Sequence, residues 1–247
     1  HRDLHSFPTR RSSDLAVPTD GSRAPIRLNP TLQPTNNVTE VQVTPDGSRA
    51  TFLIGIDYGW GGPRPRDLWI APLDGSSPAT LIASNVTSYV LSPDSRGALF
   101  YEYSSAAYHF RRVPLDGSEA PLALADYQSH AFLPVMTFTP DGSRAVIRAE
   151  PNNSYLFTAA MQGPADVRVL LVASIVLDSV EATAGGRLLF CAPLAGDTQV
   201  TLHSLALDGS DPRRISSGTS WVGAFHVAPK KSRPWRSAAA SSARSAS

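Results

Sequence analysis

The chain has 247 residues, of which 42% are hydrophobic and 17% are charged, with 21 prolines and 17 glycines. That composition supports an extensive core joined by many short connections, which favours β-structure. The formal net charge of +1 gives no reason to expect a nucleic-acid partner. The single cysteine excludes an internal disulfide and a multi-cysteine metal site, and no apolar run is long enough to predict a membrane-spanning helix.

The two ends differ in composition from the rest of the chain. Residues 1–15, HRDLHSFPTRRSSDL, lack apolar periodicity and resemble the translation of a sequencing adapter; a disordered basic leader is the alternative. Lys230 and Lys231 are the only lysines, and the Ser/Ala/Arg-rich stretch that they open predicts either a frame-shifted or a flexible tail. We therefore expect a leader over 1–15, a folded domain over 16–229 and a tail over 230–247.

Between these ends, two turn motifs alternate along the chain. TPDGSRA occurs unchanged at 44–50 and 139–145, with weaker copies at 92–100 and 183–190 and a partial copy at 227–229. PLDGS occurs at 72–76 and 114–118, with the related strings PTDGS at 18–22, MQGP at 161–164 and ALDGS at 206–210. The first motif recurs every 44 to 48 residues, and the second recurs every 42 to 54 residues between the first motif's copies. Two markers that share one period are a strong indication of a structural repeat.

The letters of the motifs predict hairpin turns between strands. Proline presets the first turn dihedral, aspartate bonds to nearby backbone, and glycine accepts the positive φ that closes the turn. Alternating apolar residues flank the first copies, as at 50–56, and the apolar run at 167–176 favours a buried strand pair over a helix. Four short strands with their connections fill about 44 residues.

An all-β chain with this unit is predicted to form a β-propeller of four-stranded antiparallel blades. Four full blades are expected at 39–82, 87–124, 132–171 and 178–216, with partial blades at both ends, so that the ring is incomplete. An immunoglobulin-like sandwich is the competing architecture, and it does not predict a repeated pair of turns.

The alternation of T/S-P-D-G with P-L-D-G-S resembles the Pro-Asp β-propeller repeat of TolB-type proteins over about residues 18–229. The resemblance implies an extracytoplasmic bacterial protein, periplasmic or secreted. It covers scaffold proteins and also the accessory propellers that precede the catalytic domain of prolyl oligopeptidase-like serine peptidases. The chain departs from the repeat at Ser95, which replaces glycine, and at Ala184, where the Pro-Asp pair is lost, so we expect these two turns to differ.

No residue pattern indicates a reaction or a bound metal. The string GTSWVG at 218–223 has the wrong spacing for a nucleophile elbow, which makes Ser220 an ordinary loop serine. His109, His130, His203 and His226 are isolated in sequence, and the recurring aspartates lie in turns, where they bond to local backbone. We therefore predict a non-enzymatic protein with no catalytic residue, no metal and no cofactor, which serves as a scaffold for an unidentified protein or small ligand.

Strand direction predicts where recognition takes place. Because neighbouring strands are antiparallel, both kinds of repeated turn lie at one end of the blades. The variable connections lie at the other end, and they are predicted at 57–67, 104–109, 126–130, 151–154 and 216–221. Variable loops on a rigid scaffold commonly carry binding residues, with Tyr, Trp and Arg as anchors; loops tolerated without a function are the alternative. The predicted binding face consists of Tyr58, Trp60, Arg64, Arg66, Tyr108, Tyr127, His130 and Trp221.

Overall fold

The computed structural model describes residues 15–16, 24–56, 65–128, 134–149, 154–173, 180–192 and 200–216. Every regular element within these ranges is a β-strand, as the composition predicts. A short pair, β1 (Leu15–Ala16) and β2 (Ile26–Arg27), comes first. Four antiparallel sheets follow, each made of four strands.

The strands of each sheet pair in chain order. Sheet 1 consists of β3 (Asn36–Val43), β4 (Arg49–Ile56), β5 (Arg66–Pro72) and β6 (Thr80–Val86). Sheet 2 consists of β7 (Ser88–Leu91), β8 (Gly97–Ser104), β9 (Ala107–Pro114) and β10 (Leu122–Gln128). Sheet 3 consists of β11 (Val135–Phe138), β12 (Arg144–Ala149), β13 (Ser154–Ala160) and β14 (Val167–Ala173). Sheet 4 consists of β15 (Val180–Ala182), β16 (Arg187–Ala192), β17 (Thr201–Ala206) and β18 (Arg213–Arg214).

The T-P-D-G turn joins the first and second strands of a sheet through a local hydrogen-bond network. In sheet 1 the Thr44 hydroxyl donates to Asp46 Oδ1 (2.6 Å), and the Ser48 amide donates to the same oxygen (3.0 Å). Gly47 donates its amide to the Thr44 carbonyl (2.8 Å) with φ of 71°. The bond from Thr44 is the largest contribution to an Asp46 pKa that falls to about 2, so this carboxylate stays ionised and keeps the turn closed.

The two turns that depart from the repeat in sequence, at Ser95 and at Ala184, differ from each other in structure. In sheet 2 Ser95 adopts the left-handed conformation (φ 60°), and the Ser92 amide donates to the Gly97 carbonyl as Thr44 does to Arg49. The expectation of a different turn there is wrong, because serine takes over the glycine position at some conformational cost. In sheet 4 Gly186 has φ of 73° and Thr183 donates to Arg187, so this turn is one residue shorter.

Alternating side chains of the second strand in a sheet pack against two different neighbours. On β8, Ala98 and Phe100 join a core with sheet 1, whereas Leu99 and Tyr101 join a core with sheet 3. On β12, Ile147 faces sheet 2 and Val146 faces sheet 4 in the same way. The unbroken apolar runs of these strands therefore reflect burial on both faces.

The other face of sheet 1 is covered by the segment that precedes it. Phe52 and Ile54 on β4 form a core with Leu28, and Ile26 and Leu32 pack against that core. The segment around β2 thus occupies the position that a preceding sheet would take.

Two details differ from the predicted elements. Within the run at 167–176, the described part is one strand, β14, at the edge of sheet 3; its Val169 side chain is 56% exposed, so the strand is not part of a buried pair. The stretch 104–109, predicted as a variable loop, lies in β8 and β9 except for Ser105 and Ala106. Those two residues have positive φ and form a tight hairpin.

Replacing Gly47 by Ala tests the turn. No atom lies within 4 Å of the added Cβ, so the cost is conformational, and we expect a loss of about 1–2 kcal/mol in the free energy of unfolding. Gly185→Ala is the matched control, because Gly185 lies in the equivalent turn of sheet 4 without a positive φ and its Cβ would meet only Thr183 at an ordinary 3.7 Å. Urea unfolding of both variants checks this; equal losses would contradict the account.

Candidate functional site

The antiparallel strand order divides the connections between two ends of the sheets. The T-P-D-G and L-D-G turns all lie at one end, called here the turn end, as predicted. At the other end, called the loop end, the described connections are the Ser105–Ala106 hairpin in sheet 2 and Thr87 between sheets 1 and 2. Residues 57–64, 129–133, 150–153, 174–179 and 193–199 lie outside the described ranges.

Three of the eight predicted binding-face residues can be placed. Tyr58, Trp60, Arg64, His130 and Trp221 lie outside the described residues. Arg66, Tyr108 and Tyr127 lie near the loop end, in β5, β9 and β10 respectively. All three belong to strands, so it is the sheets that hold them in position.

Arg66 is held in a network that joins sheet 1 to the connection with sheet 2. Its guanidinium donates to Thr39 Oγ1 (2.7 Å), to Glu40 Oε1 (2.5 Å) and to the Thr87 carbonyl (2.8 Å). Its aliphatic stem crosses Gly55, where an added Cβ would lie 2.5 Å from Arg66 Cγ. With three acceptors engaged, this side chain acts mainly as a structural clamp.

Tyr108 and Tyr127 belong to a cluster of five of the chain's seven tyrosines. They are a directly opposed pair on β9 and β10. The ring centroid of Tyr108 lies 5.3 Å from that of Tyr101 and 5.1 Å from that of Tyr103. The ring centroids of Tyr127 and Tyr155, which belongs to sheet 3, are 5.1 Å apart. We call Tyr101, Tyr103, Tyr108, Tyr127 and Tyr155 the tyrosine cluster.

The cluster has a buried layer and a partly exposed layer. Tyr101 and Tyr108 are only 4% and 5% exposed, so Tyr108 supports the surface instead of projecting from it. Tyr103, Tyr127 and Tyr155 remain half-buried. Beneath them lie fully buried phenylalanines; Tyr127 stacks on Phe157, whose ring centroid is 5.1 Å away.

Sequence reasoning missed Tyr101, Tyr103 and Tyr155. The first two are spaced two apart on one strand, which places them on one face. That signal was available, but the hairpin that brings Tyr103 opposite Tyr108 carries no glycine or asparagine. Tyr155 lies in another sheet, and only the packing of sheets 2 and 3 brings it to Tyr127.

Three phenols of the cluster have pKa values shifted toward the neutral form, those of Tyr101, Tyr108 and Tyr127. Burial raises the pKa of Tyr101 to about 12, and Tyr108 adds to this shift. Burial also raises the pKa of Tyr108 and of Tyr127, each with a smaller effect from a neighbouring tyrosine. At neutral pH these three tyrosines are therefore uncharged and keep their hydroxyl protons.

A polar pair lies beside the cluster on the opposite face of sheet 2. His109 Nδ1 lies 2.9 Å from Asp126 Oδ1, across the β9–β10 pairing.

Within the described ranges, no three His, Cys, Asp or Glu side chains are grouped closely enough to hold a metal ion. No helix in the same ranges is long and apolar enough to cross a membrane. Ser220 and His226 lie outside them.

Comparison with solved structures identifies the architecture. A prolyl endopeptidase structure aligns over 85% of this chain and 36% of its own, with a TM-score of 0.56 and 12% identity. Prolyl oligopeptidase B from Galerina marginata aligns over 77% of this chain and 30% of its own, with a TM-score of 0.55 and 12% identity. TolB from Acinetobacter baumannii aligns over 82% of this chain and 48% of its own, with a TM-score of 0.45 and 13% identity.

The chain has the β-propeller fold. Its four sheets are blades, which confirms the predicted fold class. Identities of 12–13% establish the fold alone, and the chain spans less than half the length of each of these three structures. No family model matches the chain, and no curated protein matches it in sequence.

The raised tyrosine pKa values predict a loss of stability in alkali. The folded state keeps phenolic protons that the unfolded chain releases above about pH 10, so the stabilisation is complete below about pH 10 and declines as pH rises toward about 12. Urea unfolding at stepped alkaline pH, together with the absorbance of tyrosinate, measures this decline. Tyr101→Phe cannot ionise and should show a shallower decline; an unchanged slope would contradict the assignment.

Proposed function

We propose that this chain is a non-enzymatic β-propeller scaffold that recognises a protein or ligand at its loop end. The observation that carries the proposal is the tyrosine cluster. Half-exposed tyrosines held by a rigid apolar layer lose little conformational entropy on binding, and they offer both apolar area and a hydroxyl donor. Such a surface suits an extended peptide or a protein loop.

The exposed layer supplies the proposed contacts. Tyr103, Tyr127 and Tyr155 come from two blades, so a partner that touches all three would depend on how blades 2 and 3 pack. Tyr108 and Arg66 hold the surface in place through the contacts described above. The predicted residues Tyr58, Trp60, Arg64, His130 and Trp221 remain part of the proposed binding face.

The proposal includes an extracytoplasmic location, periplasmic or secreted. It rests on the likeness of the turn repeat to TolB-type proteins. Cys191, the single cysteine of the sequence, is buried in blade 4, where oxidants have little access to it.

A second candidate is the accessory propeller of a prolyl oligopeptidase-like serine peptidase. The solved structures of this fold with the higher TM-scores include proteins of that class. Sequencing the source gene downstream of the codon for Pro229 distinguishes the two candidates. A nucleophile elbow followed by an acid and a histidine would favour the peptidase, and further T-P-D-G repeats would favour the scaffold.

Peptide selection tests the proposed surface. Random peptides displayed on phage would be selected on the intact chain, and the affinity of enriched peptides would then be measured for Tyr103→Ala with Tyr155→Ala. We expect at least about a tenfold loss of affinity, since hot-spot aromatics commonly contribute 2 kcal/mol or more. Near-ultraviolet circular dichroism verifies that the variant is folded.

Leu81→Ser is the matched control for this experiment. Leu81 is an exposed apolar residue on the outer strand of blade 1, away from the cluster. Its replacement should leave peptide affinity unchanged. Peptides that bind the tyrosine variant as tightly as the original chain would show that the cluster is not the recognition surface.

A further inference from the structure

A cleft of about 460 Å³ opens at the turn end of blade 2, opposite the tyrosine cluster. The residues that bear on its chemistry are Arg96, Gly97, Arg112, Glu119, Leu122 and Met161. They come from the first turn, the L-D-G loop and the second, third and fourth strands of blade 2, and from a turn of blade 3. The cleft is therefore formed where these two blades meet.

Blades 3 and 4 share one way of filling the corresponding place. In each, the first residue of the second strand is an arginine that binds an aspartate in the loop after the third strand. Arg144 donates to Asp166 Oδ2 (2.7 Å) and to the Asp166 carbonyl (2.9 Å). Arg187 donates to Asp211 Oδ2 (2.9 Å) and to the Asp211 carbonyl (2.7 Å).

A hydroxyl on the third strand completes each of these clamps. Thr158 accepts from Arg144 in blade 3, and Ser204 accepts from Arg187 in blade 4. Each hydroxyl lies two residues before the residue directly opposite the arginine, and hence on the same face of the sheet. The arginine, the hydroxyl and the carboxylate thus form one repeated unit.

Blade 2 also has an arginine here, but it is on the third strand of the blade instead of the second. Gly97 occupies the usual arginine position, opposite Pro114, and Arg112 stands where blades 3 and 4 have Thr158 and Ser204. Gly97 carries no side chain, and a Cβ added there would lie 3.3 Å from Met161 Cε of blade 3. Arg112 is only 5% exposed, and its Nη2 donates to the Gly163 carbonyl of blade 3.

The carboxylate of the unit is missing from its place in blade 2. Glu119 occupies the same loop position as Asp211, but it is exposed. No carboxylate of the described residues forms an ion pair with Arg112. Burial lowers the pKa of Arg112, with a weaker opposing effect from Glu119, which reflects the cost of desolvating this cation. A buried guanidinium without a carboxylate is unfavourable unless something else pairs with it.

Three other charged groups that line the cleft, those of Arg49, Asp94 and Asp116, are engaged in local bonds. Arg49 donates to the carbonyls of Leu115 (2.9 Å) and Ser95 (3.0 Å). Asp94 Oδ1 accepts from Ser92 Oγ and from the Arg96 amide, and Asp116 Oδ1 accepts from the Ser118 amide. These aspartates, with Glu119, disfavour a multiply charged anion such as phosphate. Arg96 is exposed at the rim, and Leu122 and Met161 supply apolar lining.

We propose that this cleft binds the carboxylate of a ligand with an apolar body, held by the guanidinium of Arg112. The ligand carboxylate takes the place that Asp166 and Asp211 occupy in blades 3 and 4. The planar fork of the arginine matches a carboxylate with two parallel hydrogen bonds. A peptide C-terminus and a free aliphatic acid both carry this chemistry. This site lies at the turn end, whereas the tyrosine cluster lies at the loop end. An experiment can therefore contradict one of the two proposals without contradicting the other.

Isothermal titration of the intact chain with three probes tests the proposal. N-acetyl-leucine represents a peptide C-terminus, hexanoate represents a free acid, and N-acetyl-leucinamide lacks the carboxylate. We expect saturable binding of at least one acid, and at least about tenfold weaker binding of the amide. Tighter binding of N-acetyl-leucine would indicate a peptide, and tighter binding of hexanoate a free acid. Absence of binding by both acids, or equal binding of N-acetyl-leucine and its amide, would overturn the proposal.

Variants locate the binding at Arg112. Arg112→Gln should weaken binding at least about tenfold, whereas Arg168→Gln should leave it unchanged, because Arg168 is an exposed arginine of blade 3 whose partner Asp166 also binds Arg144. Unchanged affinity in Arg112→Gln would overturn the assignment.

A second variant leaves Arg112 intact, in case its replacement prevents folding. Ala120 lines the cleft next to Glu119, and Ala120→Asp would supply a carboxylate from within the chain. This variant should melt at a higher temperature than the original chain and should lose the binding of the acids. Unaltered binding with an unaltered melting temperature would contradict the proposal.

Discussion

The structure depends on one constraint: each four-stranded sheet has two apolar faces, and both must be covered. The second strands show this most clearly, because adjacent residues such as Leu99 and Phe100 are fully buried in different cores. Neither face can be left to water without exposing large side chains. Sheets therefore pack face to face, and every blade positions the next one.

That constraint explains why some features repeat from blade to blade, and it makes the exceptions in blade 2 recognisable. The turns recur because each blade meets the same packing problem and their geometry is local, and the arginine clamp recurs in blades 3 and 4. Blade 2 departs from the pattern at three places that lie together: Ser95 in the turn, Gly97 at the start of the second strand and Arg112 on the third. The cleft lies at these departures. In a repeat protein, a local departure from the repeat is typical of a functional site.

The local features of the fold could be predicted from the sequence, but the contacts formed by packing between blades could not. Turn chemistry in T-P-D-G and L-D-G predicted the strands, their pairing order and the two ends of the blades. The hairpin at Ser105 and Ala106 was predicted as a loop because neither residue is a usual turn former, although both adopt positive φ. Tyr127 and Tyr155 meet only because sheets 2 and 3 pack together. The exchange of Gly97 and Arg112 is visible in the aligned repeats, but only the strand register shows that both occupy one face.

Face-to-face packing of blades 2 and 3 is the central claim, because both proposed sites depend on it. Phe110 and Phe157 are fully buried on opposite sides of this interface, with ring centroids 5.6 Å apart in an edge-to-face arrangement. A double-mutant cycle of Phe110→Leu and Phe157→Leu, followed by urea unfolding, measures their interaction directly. Because the two rings are in contact, we expect a coupling free energy of about 0.5–1.5 kcal/mol. Losses that add within about 0.3 kcal/mol would show that the two rings do not touch and would contradict the packing described.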